Sequence, residues 1–416
     1  MHWSRKANLA LALLPVCGML FSGQVFAQSS NVKPPTIVAK AAILEDASTG
    51  QVLYAKNPDQ KMYPASITKI MTGILAAEYG HPNQVVTVQP GDLVGGSSCY
   101  LQAGQRVTMR DLFYGLLLVS GNDCAMSIAR TVAGSVPAFV RLMNEKAREL
   151  GAKDTHFANP NGLPNPQHYT SARDMAIFAR YALTIPYFRR ADATKTFVFP
   201  NPRRPLTMIN QDRLLWDYPG GIGMKIGYTV AAGETMVGVA KRGNTTLVAV
   251  ILDSTWAAEW SDMTSLLNYG FNSFVPAKVV GRGTVLGKRA VVGDAGKKVP
   301  VVAGRGFTVL LPGGSRRRLS LRLETASFLR APLSKDQQVG TMVVGYAGRV
   351  LGEVPVLTAQ ATSQPPFPAW ALWTGVAGLL YCAARIGRKG NKRSSPYGGG
   401  RGYRRDYNDK YLGGDW

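Results

Sequence analysis

Cysteine and histidine are scarce in this chain, with four residues of each among 416. Cys17 and Cys382 lie in apolar segments near the two termini, which leaves Cys99 and Cys124 in the body of the chain. Two cysteines exclude a fold built on a disulfide framework, and whether this pair is bonded stays open. No metal-ligand spacing occurs, and no histidine accompanies a serine in a nucleophile-elbow pattern. We therefore expect no metal, no cofactor and no Ser-His-Asp site.

Acidic residues are also few, since 25 Asp and Glu stand against 48 Lys and Arg and give a formal net charge of +23. Such an excess suits a negatively charged partner, such as lipid headgroups or wall polymers, although it would equally serve solubility alone. Nucleic acid is not expected as a partner, because the N-terminus predicts export.

The first 27 residues have the order of a secretory signal. Arg5 and Lys6 precede the apolar run "ANLALALLPVCGMLF", and the small-residue sequence "VFA" ends at Ala27. This order predicts a signal peptide, residues 1–27, that is removed on export. An uncleaved anchor helix is the alternative, but the apolar run is short for a full span.

The C-terminal region also has an apolar segment. Residues 369–384 carry no charge, and the basic run "RIGRKGNKR" follows at once. We interpret this segment as a transmembrane anchor with its basic flank inside, because an interfacial helix would need charges interleaved with the apolar residues. The protein would then be held at the cell membrane with its main body extracytoplasmic. Residues 385–416 would form a basic, disordered cytoplasmic tail.

Between the two ends the periodicity of the apolar residues changes once. Residues 34–274 mix helical periodicity with two hairpins, "AAILEDASTGQVLYAKN" and "MVGVAKRGNTTLVAVILDS", whereas residues 276–357 show repeated short alternating runs. We predict an α+β domain in which helices flank an antiparallel sheet, then a small all-β domain, a linker over 358–368 and the transmembrane helix.

A serine and a lysine stand three residues apart in "PASITKIM". Ser66 and Lys69 would lie on one face at the start of a helix, where a lysine of depressed pKa can take the proton of a serine nucleophile. The spacing alone is weak evidence, because "SNVK" at 30–33 repeats it.

Two further stretches strengthen that interpretation. "LLLVSGNDCA" ends an apolar helix and presents Ser120 and Asn122 in a tight connection. "GIGMKIGYT" places Lys225, a cation for a carboxylate, beside Gly227, which lets a ligand approach a strand closely. Three weak signals in one order make a strong one.

With these motifs the sequence resembles the D-alanyl-D-alanine carboxypeptidases among the low-molecular-mass penicillin-binding proteins, whose fold is that of the serine β-lactamases. "SITK", "SGN" and "KIG" stand where that family has Ser-x-x-Lys, Ser-x-Asn and Lys-Thr-Gly. The resemblance implies that Ser66 is the nucleophile and Lys69 its base. It also implies that Ser120 relays a proton, that Asn122 contacts the substrate amide and that Lys225 binds the substrate carboxylate. It further implies substrate binding along the third-motif strand, at Gly227, Tyr228 and Thr229, with an oxyanion hole from the backbone of Ser66 and Tyr228.

The implied reaction is removal of the terminal D-alanine from peptidoglycan stem pentapeptides through an acyl-enzyme, with β-lactams as covalent inhibitors. An endopeptidase acting on D-alanyl cross-links and a non-catalytic wall-binding module are the alternatives. A class A β-lactamase is disfavoured because no Glu-x-x-Leu-Asn stretch lies between the second and third motifs. Ile226 stands where the family usually has threonine, and Thr229 is a candidate to supply the missing hydroxyl.

Overall fold

A computed structural model describes residues 33–201, 204–292, 297–363 and 369–389. The predicted signal peptide, part of the predicted linker and the predicted tail beyond residue 389 lie outside these ranges.

The first part of the chain combines strands with helices. Its strands are β1 (Ala41–Asp46), β2 (Val52–Lys56), β3 (Val85–Thr87), β4 (Arg106–Thr108), β5 (Thr196–Phe199), β6 (Leu206–Ile209), β7 (Gly221–Thr229), β8 (Gly233–Arg242) and β9 (Thr245–Ser254). Its helices are α1 (Lys69–Tyr79), α2 (Met109–Leu118), α3 (Asn122–Ala133), α4 (Val136–Glu149), α5 (Ala172–Ala182), α6 (Pro186–Asp192), α7 (Leu214–Asp217) and α8 (Glu259–Ser273).

Five of these strands form one antiparallel sheet in the order β2-β1-β9-β8-β7. Both predicted hairpins are confirmed, and the second turns at Gly243, where φ is +56°. The central strand β9 shows how the sheet divides the interior, because Val248, Val250 and Leu252 face one apolar cluster while Leu247, Ala249 and Ile251 face another. Successive side chains of a strand point to opposite faces. The continuous apolar sequence of β9 therefore contributes side chains to two cores. One core lies between the sheet and helices α1 to α6, and the other lies between the sheet and α8.

The position of β7 matters most for the site, since this strand lies at an edge of the sheet. One side of its backbone pairs with β8, from Gly221 opposite Ala240 to Thr229 opposite Gly233. The other side adjoins the short 3₁₀ turn Ala65–Thr68 that precedes α1. An edge strand beside a helix start leaves a groove in which an extended peptide can lie.

The second part of the chain is all β. Its strands are β10 (Phe274–Val280), β11 (Val285–Val292), β12 (Lys298–Ala303), β13 (Phe307–Pro312), β14 (Leu319–Thr325), β15 (Phe328–Arg330), β16 (Gln338–Tyr346) and β17 (Arg349–Thr358). Six of them form a sheet in the order β14-β16-β17-β12-β11-β15, and β10 pairs with β13. A separate valine-rich core lies between them. The predicted succession of an α+β unit and an all-β unit is therefore observed.

The prediction of a C-terminal transmembrane helix is wrong. Residues 369–384 do fall in a helix, α9 (Ala369–Lys389), yet no helix in the part of the chain that the structure describes is long and apolar enough to cross a membrane. About 16 residues precede Arg385, which is about 24 Å of helix against a hydrocarbon core of ~30 Å. Nearly half of those residues are alanine or glycine, which lowers the hydropathy of the segment.

Candidate active site

Ser66 lies on the 3₁₀ turn Ala65–Thr68, and α1 begins three residues later at Lys69. Two glycines let other segments of the chain pack closely against this turn. A Cβ on Gly162 would lie 1.9 Å from the carbonyl oxygen of Ala65, and a Cβ on Gly227 would lie 2.6 Å from the backbone nitrogen of Ser66. The serine is therefore held between the edge strand β7 and the loop that carries Gly162.

Lys69 is completely buried and contacts three partners. Its Nζ lies 3.0 Å from Ser66 Oγ, 2.7 Å from Asn122 Oδ1 and 2.6 Å from the carbonyl oxygen of Asn161. Burial, and then the positive charge of Lys225, lower the pKa of Lys69 well below its usual range. A neutral amine has two protons and one lone pair, so it can donate to the two amide oxygens and still accept a proton from Ser66. The geometry fits a base for the serine hydroxyl.

Ser120 lies between the end of α2 and the start of α3, and Asn122 is the first residue of α3. Ser120 is in the left-handed region with φ +61°, and its buried Oγ has no hydrogen-bond partner among the described residues. Asn122 is fixed at both ends of its amide, because Nδ2 donates to the carbonyl of Gly95 at 2.7 Å while Oδ1 accepts from Lys69. The left-handed backbone conformation of Ser120 is energetically costly for a residue other than glycine, and such residues are typical of functional sites.

Lys225 is buried on β7, and its Nζ donates to the carbonyl oxygen of Ile226 at 3.0 Å. Burial lowers the pKa of Lys225 to about 8, opposed by the buried carboxyl groups of Asp212 and Asp192. Burial in turn raises the pKa of Asp212 to about 6. The Asp212 carboxyl group behind the third motif thus helps to keep this lysine charged, whereas burial raises the pKa of Asp192 well above its usual range.

The other residues expected on β7 fall in different places. Tyr228 and Ile226 line the cleft, as does the backbone of Gly227. Thr229 does not line it, and its Oγ1 accepts a hydrogen bond from the backbone nitrogen of Ala232 in the β7–β8 turn. Its hydroxyl is therefore engaged in closing the hairpin.

The three motifs border one cavity of about 690 Å³. Ser66, Ser120, Ile226 and Tyr228 line it, while Lys69 and Lys225 lie buried beneath. A nucleophile beside a buried amine, a free hydroxyl and a second cation can carry out acyl transfer from an amide.

Several residues of the site were not found from the sequence. Asn161 contributes only its backbone carbonyl oxygen, which any residue could supply. Asp192 and Asp212 raise the pKa of Lys225 because they are buried near it in the fold, and no local sequence pattern reveals that proximity. His168 supports the nucleophile turn. Its Nδ1 accepts from the backbone nitrogen of Ala158 at 2.9 Å, which places a proton on Nε2, 2.7 Å from Thr68 Oγ1. Burial lowers the pKa of His168 to about 4, so the ring is neutral.

Cys99 and Cys124 lie side by side behind the second motif. Both are buried free thiols, and their Sγ atoms are 2.6 Å apart. With Asp123 they form a group of three possible metal ligands. The carboxylate of Asp123 already accepts hydrogen bonds from Ser98 Oγ and from the backbone nitrogens of Cys99 and Leu101. These bonds tie the loop that holds Asn122 to the start of α3.

Comparisons with known proteins agree with this geometry. Residues 28–255 match the family model of D-alanyl-D-alanine carboxypeptidases, and residues 274–364 match that of the C-terminal domain of penicillin-binding protein 5. The chain is 30% identical to D-alanyl-D-alanine carboxypeptidase DacF of Bacillus subtilis over 87% of its own length and 96% of the relative's. It is 33% identical to DacA of Haemophilus influenzae over 77% of its length and 84% of the relative's.

Solved structures extend the likeness to the fold. Penicillin binding protein 5 from Haemophilus influenzae superposes with a TM-score of 0.71 at 30% identity, covering 80% of this chain and 100% of that one. A DD-transpeptidase of Streptomyces K15 superposes with a TM-score of 0.55 at 32% identity, covering 57% of this chain and 99% of that one.

Proposed function

The chain belongs to the D-alanyl-D-alanine carboxypeptidase family, and from this membership we propose which of its residues carry out the serine-type hydrolysis. The family acts on peptidoglycan stem peptides and binds β-lactams. Here the nucleophile would be Ser66, the base Lys69, the proton relay Ser120 and the amide contact Asn122. Lys225, with the backbone of Gly227 and Tyr228, would bind the end of the substrate, while Thr229 Oγ1 accepts a hydrogen bond in the β7–β8 turn.

In the acylation step, Ser66 Oγ would attack the carbonyl carbon of the penultimate D-alanine. Its proton passes to the neutral Nζ of Lys69, which lies 3.0 Å away. The carbonyl oxygen becomes negative, and the backbone N–H groups of Ser66 and Tyr228 would stabilise it; the close approach of β7 to the backbone of Ser66 supports this assignment. The amide C–N bond then breaks.

The leaving amine needs a proton. Ser120 lines the same cavity with an otherwise unpartnered hydroxyl, so it can hand a proton from Lys69 to the departing nitrogen. A water molecule then takes the place of the released D-alanine and attacks the ester carbonyl while Lys69 accepts its proton. The acyl C–O bond to Ser66 breaks, Lys69 returns the proton to Ser66 Oγ, and the shortened peptide leaves with a new carboxyl group. A β-lactam would acylate Ser66 by the same first step.

The observation that carries this proposal is the set of contacts of Lys69. A fully buried amine that touches Ser66 and Asn122, with its pKa well below the usual range, is what a base for the serine requires. An inert wall-binding module would have no reason to retain a desolvated lysine there, because burying an ammonium group is costly. Nothing in the cleft specifically favours an endopeptidase.

We further propose that the catalytic part acts outside the cytoplasm. The family acts on the cell wall, and residues 1–27 have the order of a secretory signal. The basic excess of the chain also suits an anionic wall polymer.

Labelling and product release test the proposal together. The purified protein should be labelled by a fluorescent penicillin and should release D-alanine from a pentapeptide ending in D-Ala-D-Ala. Ser66→Ala should abolish both signals, and the matched control Ser30→Ala, in the other Ser-x-x-Lys spacing, should leave both unchanged. Labelling that persists in Ser66→Ala would refute the assignment of the nucleophile.

A further inference from the structure

The cleft contains two carboxyl groups that the proposed reaction does not use. Glu234 lies near the start of β8 and Glu259 is the first residue of α8, and both line the same cavity as Ser66. No lysine or arginine is among the described residues that line this cavity. Glu234 and Glu259 are therefore the acidic side chains of this wall, and no basic side chain lines it beside them.

Both carboxyl groups are buried, and one oxygen of Glu259 lacks a hydrogen-bond partner. Glu259 is 5% exposed and Glu234 is 9% exposed, and Oε1 of Glu259 has no hydrogen-bond partner in the described part of the chain. The nearby Arg213 is already engaged, because it pairs with Asp217 at 2.9 Å and lies over the ring of Trp260. A buried carboxyl oxygen without a partner is costly unless a ligand supplies one.

Strand geometry places this pair beside the third motif. Side chains alternate along β7, so Ile226 and Tyr228 point away from the face that carries Lys225. Glu234 is the register partner of Tyr228 and shares its face. Under the proposed function, the residue released by the enzyme binds next to Ile226, so it would lie beside these carboxyl groups.

We propose that Glu234 and Glu259 form a subsite for a positively charged side chain on the leaving D-amino acid, an ammonium or a guanidinium group. This inference rests on the proposed function and deepens it by naming a substrate class. Trp256, an 84% exposed residue, also lines the cavity, where its ring can cover the aliphatic stem of such a side chain or face its charge.

The charges in and around this subsite favour an organic cation. Burial, and then the neighbouring charge of Glu234, raise the pKa of Glu259 to about 7, with Asp212 raising it further and Arg213 opposing. A bound cation would relieve the repulsion between the two glutamates. A divalent metal is a poorer fit, because hard cations take six or more oxygen ligands. A terminal D-alanine has no cationic side chain and would leave this subsite empty.

The test compares two peptides that differ only in the last residue, one ending in D-Ala-D-Ala and one in D-Ala-D-Lys. For the full-length protein we expect kcat/KM to be about tenfold higher or more for the lysine peptide, which corresponds to one charge interaction in a partly buried site. The preference should fall as salt is raised, and it should grow as the pH rises through about 7 and Glu259 ionises.

Variants identify the groups responsible. Glu234→Gln and Glu259→Gln should each reduce the preference, and the double variant should bring the ratio of the two kcat/KM values close to one. Labelling by penicillin checks that the cleft of each variant is intact. The matched control is Glu324→Gln, an exposed glutamate on β14 that pairs with Arg322, and it should leave the preference unchanged.

Two outcomes separate this inference from the function on which it rests. If the wild-type protein cleaves both peptides equally well at every pH and salt concentration, the cationic subsite is refuted and the carboxypeptidase stands. If neither peptide is cleaved and penicillin does not label the protein, the proposed function itself fails.

Discussion

Gly227→Ala would place a methyl group where the edge strand passes the nucleophile turn. The added Cβ would lie 2.6 Å from the backbone nitrogen of Ser66, 2.9 Å from Thr235 Oγ1 and 3.1 Å from the backbone nitrogen of Ile67. Non-bonded heavy atoms are best separated by ~3.5 Å, so the strand and the turn would have to part by about 0.9 Å. Two of these neighbours are backbone atoms, which cannot rotate out of the way.

The consequence for activity should exceed the consequence for stability. A displacement of ~1 Å at reacting groups costs about 100-fold in rate, whereas overpacking of this kind costs about 1–3 kcal/mol in the free energy of unfolding. We therefore expect the rate of penicillin acylation and the kcat/KM for release of D-alanine each to fall about 100-fold. The melting temperature should fall by only ~2–10 °C.

Gly91→Ala is the matched control for this substitution. Gly91 has no positive φ, and a Cβ there would meet nothing within 4 Å, so acylation should proceed at the wild-type rate. Stopped-flow acylation by a fluorescent penicillin, with thermal melts of the same samples, measures both quantities. Acylation of Gly227→Ala at a rate within threefold of wild type would show that close contact between β7 and the turn is not needed for catalysis.

Three further predictions concern other parts of the site and the core. Ile226→Thr adds a hydroxyl to the cleft wall and should raise kcat/KM for a D-Ala-D-Ala peptide about tenfold, the low end of ~1.5–3 kcal/mol for a bond to a charged group; an unchanged value would show that the carboxylate does not bind there. Lys225→Met removes a charge that lowers the pKa of Lys69, so the acid limb of the acylation profile should move to higher pH; a fixed limb would contradict that coupling. Burial raises the pKa of Glu45 from 4.5 to about 7, so its contribution to stability is full below 4.5 and is lost as the pH rises through about 7. Glu45→Gln should therefore flatten the fall in melting temperature between about pH 5 and pH 8, and a slope equal to that of the wild type would refute the shift.

The order of elements and the reacting groups could be predicted from the sequence. Alternating apolar residues and short polar turns indicated the hairpins around Gly50 and Gly243, and helical periodicity indicated that helices accompany them in residues 34–274. The motifs around Ser66, Ser120 and Lys225 predicted one cleft, because nucleophile, relay and cation are chemical types that can be read from single residues. The prediction of a C-terminal transmembrane helix was wrong because an uncharged segment must also be long and apolar enough to cross the hydrocarbon core.

What only the tertiary structure decided is the environment of each group. The contact of Lys69 with Asn161, the two aspartates behind Lys225 and the presence of Glu234 and Glu259 in one cleft all join residues that are well separated in the chain. Desolvation and charge coupling depend on distance in space, and a one-dimensional pattern does not carry that distance. The sequence determined which chemical groups are present, and packing determined their protonation, their partners and the ligands they can accept.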